Sequence, residues 1–377
     1  MSGRHPLQRH GWLWVLLAFL GHKLLLFAGF PELGQNYLNP DLWVRWDSGH
    51  YFAIAQQGYE AFPCWTKFPT YAPNSPALCG NCGWMPGFPL LILLFQGLGM
   101  SAAVAAQWIV NGTFLLFLSF LWKHVFRPAG TQGILMLFLT ACWPGAVYYQ
   151  AAFPIALFVL MVGMCLTYLQ QGRWKYAAVC AAGASLAYST GFLLGAVVVP
   201  YIVYRYKRSL NELLRFAWIP VASLLSFALV LGFQWWQTGV FGAFFKTQSK
   251  YGHGLNSPLK ILGFIGNRAL EHPNTAVRFT DWLTLCITAG LLLFLFWYFL
   301  KTEKTELKLL LAAYVLCFWF LPLSMSQHLA FYRQAAALAP LILFMQPLPR
   351  QTNGGVLIAC MAINPVLARF FLQDLLP

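Results

Sequence analysis

One short stretch of this chain brings together side chains that could take up a proton and hold an anion. In DLWVRWDSGHYFAIAQQGY, residues 41–59, Asp47 follows Arg45 by two positions and precedes His50 by three. Residues three apart share a face of a helix, so Asp47 and His50 would point the same way. An ionised carboxylate can accept a proton from a hydroxyl group, and a neighbouring arginine or histidine can hold a phosphate. The three residues therefore predict base catalysis beside an anion site.

The same stretch predicts a short amphipathic helix directly after Asp47. Its apolar residues recur at helical spacing, a pattern typical of a helix along a membrane surface, at Tyr51, Ile54, Ala55 and Tyr59. Trp46 would anchor the site at the membrane interface. Aspartate is also a preferred N-cap residue, so a simpler interpretation is that Asp47 only caps the helix. Both roles are compatible, because a helix N-terminus keeps a carboxylate ionised.

The composition predicts a membrane protein. Of the 377 residues, 59% are hydrophobic and only 9% are charged, far from the balance of a soluble domain. The net charge of +14 does not indicate nucleic-acid binding, because the basic residues sit in small groups between apolar runs. We therefore expect an all-α polytopic protein whose residues 1–377 form a single integral membrane domain.

Apolar runs of spanning length predict eleven transmembrane helices. They lie near residues 11–30, 103–122, 131–149, 153–170, 174–189, 190–206, 214–234, 279–300, 307–325, 331–347 and 354–373. The Pro-rich apolar piece 86–99 is expected to be a short helix that enters from one face. Lysine and arginine collect in the loops on the side of the N-terminus, which predicts a cytoplasmic N-terminus. Two long loops, 31–85 and 235–278, would then face outward.

Further candidate ligands for an anion lie in later segments of the chain. Lys246, Gln248 and Lys250 stand between two apolar stretches of the second outer loop, where a lipid phosphate would emerge from the membrane. The alternative is a solvated loop that contacts anionic lipid head groups. Arg333 begins an apolar helix, where a charge is costly. It would either bind the phosphate or extend its side chain to the interface.

Three cysteines, Cys64, Cys79 and Cys82, lie in polar sequence of the first outer loop. A structural zinc site wants four ligands, so Asp47 or His50 would have to complete one. An oxidising compartment favours a disulfide instead, with Cys64 paired to Cys79 or to Cys82. No metal or nucleotide motif is visible elsewhere.

The motif RWDSGHYFAIAQQGY, residues 45–59, resembles the pattern W-D-x-x-H-[YF]-x-x-I-A-x-x-G-Y of PIG-V type glycosyltransferases, the GPI mannosyltransferase II branch of the GT-C superfamily. Similar segments continue through WMPGFPLLILL, FLTACWPGAVYYQAAFPIALFVLMVGMCLTYL, QGRWKYAAVCAAGASLAYSTGFLL and GVFGAFFKTQSKYGHGL. The first motif is the specific one, because the others are apolar patterns that membrane chains share.

This resemblance implies a GT-C-like bundle that transfers mannose or another hexose with inversion, from a polyprenyl-phosphate donor to a lipid or glycan acceptor. It implies an essential acid in the first outer loop, which matches Asp47. Around that acid we predict donor contacts from Arg45, Trp46, His50, Tyr51, Lys246, Gln248, Lys250 and Arg333. Such a donor requires no metal or cofactor. The chain departs from the family where Phe153, Pro154 and Ile155 replace a second acid and where Tyr188 and Ser189 replace an arginine.

Two other classes of function compete with a transferase. The missing second acid fits a non-catalytic partner subunit of a membrane glycosyltransferase. A lipid or sugar transporter would predict ionisable residues near mid-membrane and paired broken helices from an internal repeat. No such repeat is visible, and most acidic residues lie on the predicted outer side. The short loops favour a bacterial inner membrane over an endoplasmic reticulum membrane.

Overall fold

The computed structural model describes residues 11–251, 254–325 and 330–376 as an assembly of α-helices with one small sheet. Within these ranges, five helical stretches are long and apolar enough to cross a membrane. They are Ala102–Ala141, Leu210–Thr238, Thr275–Lys301, Thr305–Met325 and Arg350–Leu372. Shorter apolar helices pack beside them, and the architecture is that expected of a helical membrane protein.

The helices and strands are numbered here in chain order. The α-helices are α1 (Gly11–Phe27), α2 (Ser48–Gln57), α3 (Gly87–Gln96), α4 (Ala102–Leu121), α5 (Gly130–Ala141), α6 (Ile155–Gln170), α7 (Trp174–Ala187), α8 (Leu193–Tyr206), α9 (Leu210–Thr238), α10 (Ala243–Ser249), α11 (Pro258–Glu271), α12 (Thr275–Lys301), α13 (Thr305–Val315), α14 (Leu321–Met325), α15 (Phe331–Ala337) and α16 (Arg350–Leu372). Short 3-10 helices cover Pro31–Leu38, Pro40–Trp43, Cys64–Thr66, Arg127–Ala129, Ala146–Tyr149 and Ala339–Phe344, and π-helical turns cover Trp122–Phe126 and Leu316–Phe320. Strands β1 (Ala61–Pro63) and β2 (Leu78–Gly80) pair antiparallel, with Phe62 opposite Cys79.

A helix occupies at least part of each predicted span, and α3 is the short helix predicted over 86–99. The predictions of continuous helices over 131–149 and 331–347 are wrong in their second halves. Helix α5 ends before Pro144, which has no N–H to donate, and Gly145 then turns the chain with a positive φ. Helix α15 likewise gives way to a 3-10 helix. The basic residues at positions 4 and 9, part of the orientation argument, lie outside the described residues.

The first long loop, residues 31–85, is packed into the same core as the helices. Trp43 is 1% exposed and belongs to the core cluster that the helical bundle forms. Its indole N–H donates to the carbonyl of Tyr37, whose hydroxyl donates to the carbonyl of Lys23 in α1. These bonds satisfy polar groups that would otherwise be buried without partners. The loop is therefore fixed to the end of the bundle that we call the loop end, where residues 31–86 lie.

Helix α15 carries Arg333 and is held by hydrogen bonds from other elements. Its last carbonyls accept from three buried side chains: Trp143 Nε1 to Ala335 at 2.9 Å, Tyr149 Oη to Ala336 at 2.7 Å and Tyr314 Oη to Ala337 at 3.1 Å. Gln334 Nε2 donates at 2.6 Å to the carbonyl of Phe318. That carbonyl lies in a π-helical turn, a conformation that changes the usual helical hydrogen bonding. A helix of only seven residues is thereby set in one position.

Gly145 allows the turn after α5 to approach α15 closely. Its φ is +79°, and a Cβ atom there would lie 2.2 Å from the carbonyl oxygen of Tyr332. Any side chain would force the two segments apart.

We expect Gly145→Ala to destabilise the folded protein by about 1–3 kcal/mol, because alanine both strains the backbone and collides with Tyr332. Thermal unfolding in detergent measures the effect. Gly112→Ala is the matched control, since Gly112 is exposed in α4 and a Cβ there meets nothing within 4 Å. The control should change stability by no more than about 1 kcal/mol. Equal unfolding midpoints for Gly145→Ala and the wild type would contradict this account.

Candidate functional site

The carboxylate of Asp47 forms an ion pair with the guanidinium of Arg333, although the two residues are 286 positions apart. Their side chains are 26% and 23% exposed, so most of each is shielded from water. Shielding strengthens the attraction between opposite charges, because the local dielectric constant is lower than that of water. The structure thus brings together two of the predicted residues at the loop end of the bundle.

Asp47 precedes α2 as predicted, but its side chain makes no capping hydrogen bond. The prediction of a side-chain cap is wrong, because the carboxylate turns toward Arg333 instead. Ser48 joins the local backbone to a neighbouring segment: its Oγ accepts from the N–H of Arg45 at 3.2 Å and donates to the carbonyl of Ala152 at 3.1 Å. Trp46 has a φ of +42°, an uncommon conformation for a residue other than glycine. This sharp turn directs Asp47 toward α15.

Aromatic side chains surround the ion pair. The phenol groups of Tyr148, Tyr188 and Tyr332 lie close enough to Arg333 to interact with it electrostatically. The Tyr148 and Tyr332 hydroxyls share a hydrogen bond, and their rings stack with centroids 6.0 Å apart. The guanidinium carbon of Arg333 lies 5.7 Å from the centroid of the Phe153 ring. A guanidinium among neutral O–H donors can bind a phosphate in place of the carboxylate.

Arg45 has a carboxylate partner of its own. Its Nε lies 3.3 Å from Oδ1 of Asp374, a residue just beyond the end of α16. Beside this pair, Trp46 packs edge-on against Phe371 of α16, with ring centroids 4.9 Å apart. Arg45 was predicted to contact a phosphate, but in this structure it connects the motif to the C-terminal helix.

His50 stacks on Trp84, with ring centroids 3.6 Å apart and planes 18° apart. Burial lowers the pKa of His50; Asp47 and Glu60 act in the opposite direction, and Lys250 adds to the lowering. A lowered pKa keeps the imidazole neutral at pH 7. His50 was predicted to hold a phosphate, and as a neutral imidazole it would do so by donating a hydrogen bond rather than by its charge. A neutral imidazole can still accept a proton or form a hydrogen bond.

The remaining predicted residues fall into different surroundings. Tyr51 is buried and packs edge-on against Phe88, within electrostatic reach of Asp47. Lys250 lies near His50, and its Nζ is 3.6 Å from Sγ of Cys79. These two residues border the site.

The other two residues predicted in the second loop belong to α10. Gln248 donates to the carbonyl of Gly83 at 3.3 Å and so ties this helix to the first loop. Lys246 is exposed on the same helix. Among the described residues, no contact joins Lys246 to Asp47 or Arg333, so the structure does not bring it into the site.

A disulfide joins Cys64, which directly follows β1, to Cys79 in β2. Of the two pairings left open by the sequence, this is the one the structure contains. Cys82 is a buried free thiol whose Sγ donates to the carbonyl of Glu60 at 3.5 Å. The disulfide closes the loop that leads back to Trp84, and hence to the ring on which His50 stacks.

Sequence reasoning missed most of the aromatic surroundings of Arg333. Tyr148 and Tyr332 lie in apolar runs, where a tyrosine is readily interpreted as a membrane-interface residue. Asp374 was missed because it follows the last predicted span. A usable signal was the Pro144-Gly145 pair inside an apolar run, since such a pair predicts a turn.

Comparison of the sequence with models of known protein families and with curated proteins finds no match to this chain.

A double-mutant cycle measures how strongly Asp47 and Arg333 interact. We expect Asp47→Asn and Arg333→Met each to destabilise the protein, because each leaves a partner without its counter-charge. The double variant should lose less than the sum, with a coupling of about 0.5–3 kcal/mol in denaturant unfolding. Replacing Lys67 and Glu60, an ion pair at 3.1 Å with both side chains about half exposed, is the matched control and should show weaker coupling. Additive losses for Asp47 and Arg333 would contradict the pairing.

A second prediction concerns pH. Because the pKa of His50 is lowered in the folded state, the unfolded chain takes up this proton more readily. The contribution of His50 to the free energy of unfolding should be fully present above the ordinary histidine pKa of 6.5. It should be lost as the pH drops below that value. His50→Gln should weaken this dependence in thermal unfolding between about pH 7.5 and 5.5. Above that range, the pH dependence of the two proteins should be parallel, and identical slopes within the range would contradict the assignment.

Proposed function

We propose that this chain is an inverting glycosyltransferase that moves mannose or another hexose from a polyprenyl-phosphate donor to a lipid or glycan acceptor. The observation that supports this most is the Asp47–Arg333 ion pair at the loop end of an apolar helical bundle. Its carboxylate lies in the motif that resembles PIG-V type transferases, and its guanidinium lies among phenol groups. One residue suits proton removal, and the other suits a phosphate leaving group.

The reaction follows from these two side chains. Asp47 takes the proton of the acceptor hydroxyl while that oxygen attacks C1 of the donor sugar. The bond from C1 to the phosphate oxygen breaks, and the bonding electrons leave with the polyprenyl phosphate. Arg333 stabilises the charge that develops on this phosphate, and neutral phenol groups can add hydrogen bonds. Attack opposite to the leaving group inverts the configuration at C1.

Because Asp47 and Arg333 are paired, binding of the substrate would also change the surroundings of Asp47. In this structure the carboxylate and the guanidinium neutralise each other. A phosphate that binds Arg333 competes with Asp47 for the same N–H donors, because guanidinium forks match both oxyanions. The carboxylate is thereby released to accept a proton when the donor is present. Donor binding would thus activate the base.

In this proposal the eleven predicted spans form a GT-C-like bundle with a cytoplasmic N-terminus. The loop end then faces outward or into a lumen, and the donor lipid reaches Arg333 from the surrounding membrane. A lipid-phosphate donor brings its own leaving group, so the proposed reaction uses no metal or cofactor.

The decisive test offers purified protein a radiolabelled polyprenyl-phosphate mannose and a panel of lipid and glycan acceptors. Asp47→Asn should lower kcat by about 10²–10⁴-fold, the usual contribution of a positioned base. Arg333→Met should raise the KM for the donor as well as lower kcat. Asp41→Asn is the matched control, since Asp41 is an exposed acid of the same loop, and it should leave transfer unchanged.

Equal transfer by Asp47→Asn and the wild type would refute the mechanism. No transfer by a folded wild-type protein with any acceptor would favour a non-catalytic partner subunit. Movement of the labelled lipid across vesicles without sugar transfer would favour a transporter.

A further inference from the structure

A lysine lies inside the apolar helix α1 and is held by amide groups. The ammonium of Lys23 donates to the side-chain oxygens of Asn111 and Gln150. It also lies 4.8 Å from the centroid of the Phe19 ring. Among the described residues, no carboxylate pairs with it. A charge within a membrane helix is costly, so a lysine at this position calls for a specific role.

The amide groups around Lys23 are bonded to one another in a way that leaves oxygens for a cation. Gln150 Nε2 donates to Gln107 Oε1 at 3.0 Å, and Gln107 Nε2 donates to the main-chain carbonyl of Gln150 at 2.8 Å. Asn111 Nδ2 donates to the carbonyl of Gln107 at 2.7 Å. The side-chain oxygens of Asn111 and Gln150 then accept from the ammonium. Without Lys23, these buried oxygens would lose that donor.

Lys23 is joined through two routes to the segment that supports Asp47. The first route is a run of hydrogen bonds: Tyr37 Oη to the carbonyl of Lys23 at 3.0 Å, Trp43 Nε1 to the carbonyl of Tyr37 at 3.1 Å and the N–H of Ala152 to the carbonyl of Trp43 at 3.0 Å. The second route is the direct bond from the ammonium to Gln150, two residues before Ala152. Both routes end at Ala152, whose carbonyl accepts from Ser48 beside Asp47. The next residue, Phe153, lies against Arg333.

We propose that Lys23 is a positioning residue for Asp47. Its ammonium fixes Gln150, and the turn through Ala152 and Phe153 then places Ser48, and with it Asp47, opposite Arg333. The catalytic consequence rests on the proposed transferase function, whereas the positioning itself does not. Asn111, which begins an apparent glycosylation sequon inside α4, belongs to this network.

A labelling experiment tests the positioning without any assay of transfer. Ala151 lies in this turn and is fully buried, so a thiol placed there by Ala151→Cys, in a protein whose exposed Cys286 is replaced by serine, should react slowly with a water-soluble maleimide. Adding Lys23→Met should loosen the turn and speed labelling by about tenfold or more, because local opening becomes more frequent. Lys175→Met, at an exposed lysine of α7, is the control and should not change the rate. Equal labelling rates with and without Lys23 would overturn the proposal.

A kinetic experiment separates positioning from a general structural role. Lys23→Met should lower kcat by about tenfold to hundredfold and leave the donor KM within about twofold, because only the base is displaced. In an Asp47→Asn background, the same change should cause no further loss. Lys23→Arg should restore much of the activity by keeping a cationic donor. If kcat and KM change together and the loss persists in the Asp47→Asn background, Lys23 serves folding only and the proposal is wrong.

Two further cases are distinguishable. If the Lys23→Met protein does not fold, Gln150→Met removes the same contact from the other side and is judged by the same labelling criterion. If the wild type transfers no sugar but Lys23→Met still speeds labelling, the transferase function fails while the positioning role of Lys23 stands.

Discussion

Inside an apolar bundle, a short helix persists only where other groups bind its exposed carbonyls. This constraint governs α15, whose last carbonyls accept from Trp143, Tyr149 and Tyr314. The donors come from the broken segment after α5 and from α13, so these elements must meet at one place. Arg333 projects from the helix that they fix. The position of the guanidinium is thus a result of backbone hydrogen bonding as much as of charge.

Four charged side chains at the loop end form two ion pairs. Asp47 pairs with Arg333 and Arg45 pairs with Asp374, which leaves no net charge on these four groups. Lys23 is bound by the side-chain oxygens of Asn111 and Gln150. In the proposed reaction, an anionic donor would therefore meet ion pairs that can open. Neutral pairs cost less to hold in an apolar protein than separate charges.

Much of the local structure was predictable from local pattern. The helix after Asp47 begins at Ser48, where the apolar spacing predicted it, and α3 lies where a short helix was expected. The breaks at Gly145 and after Ala337 were not predicted, because hydrophobic periodicity continues through them. The Pro144-Gly145 pair is a local signal for the first break, whereas the end of α15 depends on hydrogen bonds to residues far away in the chain. Asp47 was expected to bond its own helix, but a closer counter-charge in a distant segment attracted its carboxylate.

Composition and short-range pattern determined by themselves that this chain is helical and apolar, with a polar motif around Asp47. They also singled out Arg333 as a charge that its surroundings must compensate. Tertiary structure alone decided that these two residues meet, that Arg45 pairs with Asp374, and that Cys64 bonds Cys79 while Cys82 stays reduced. The reason is physical: periodicity reports how one element faces its surroundings. Which elements become neighbours depends on packing and hydrogen bonding summed over the whole chain.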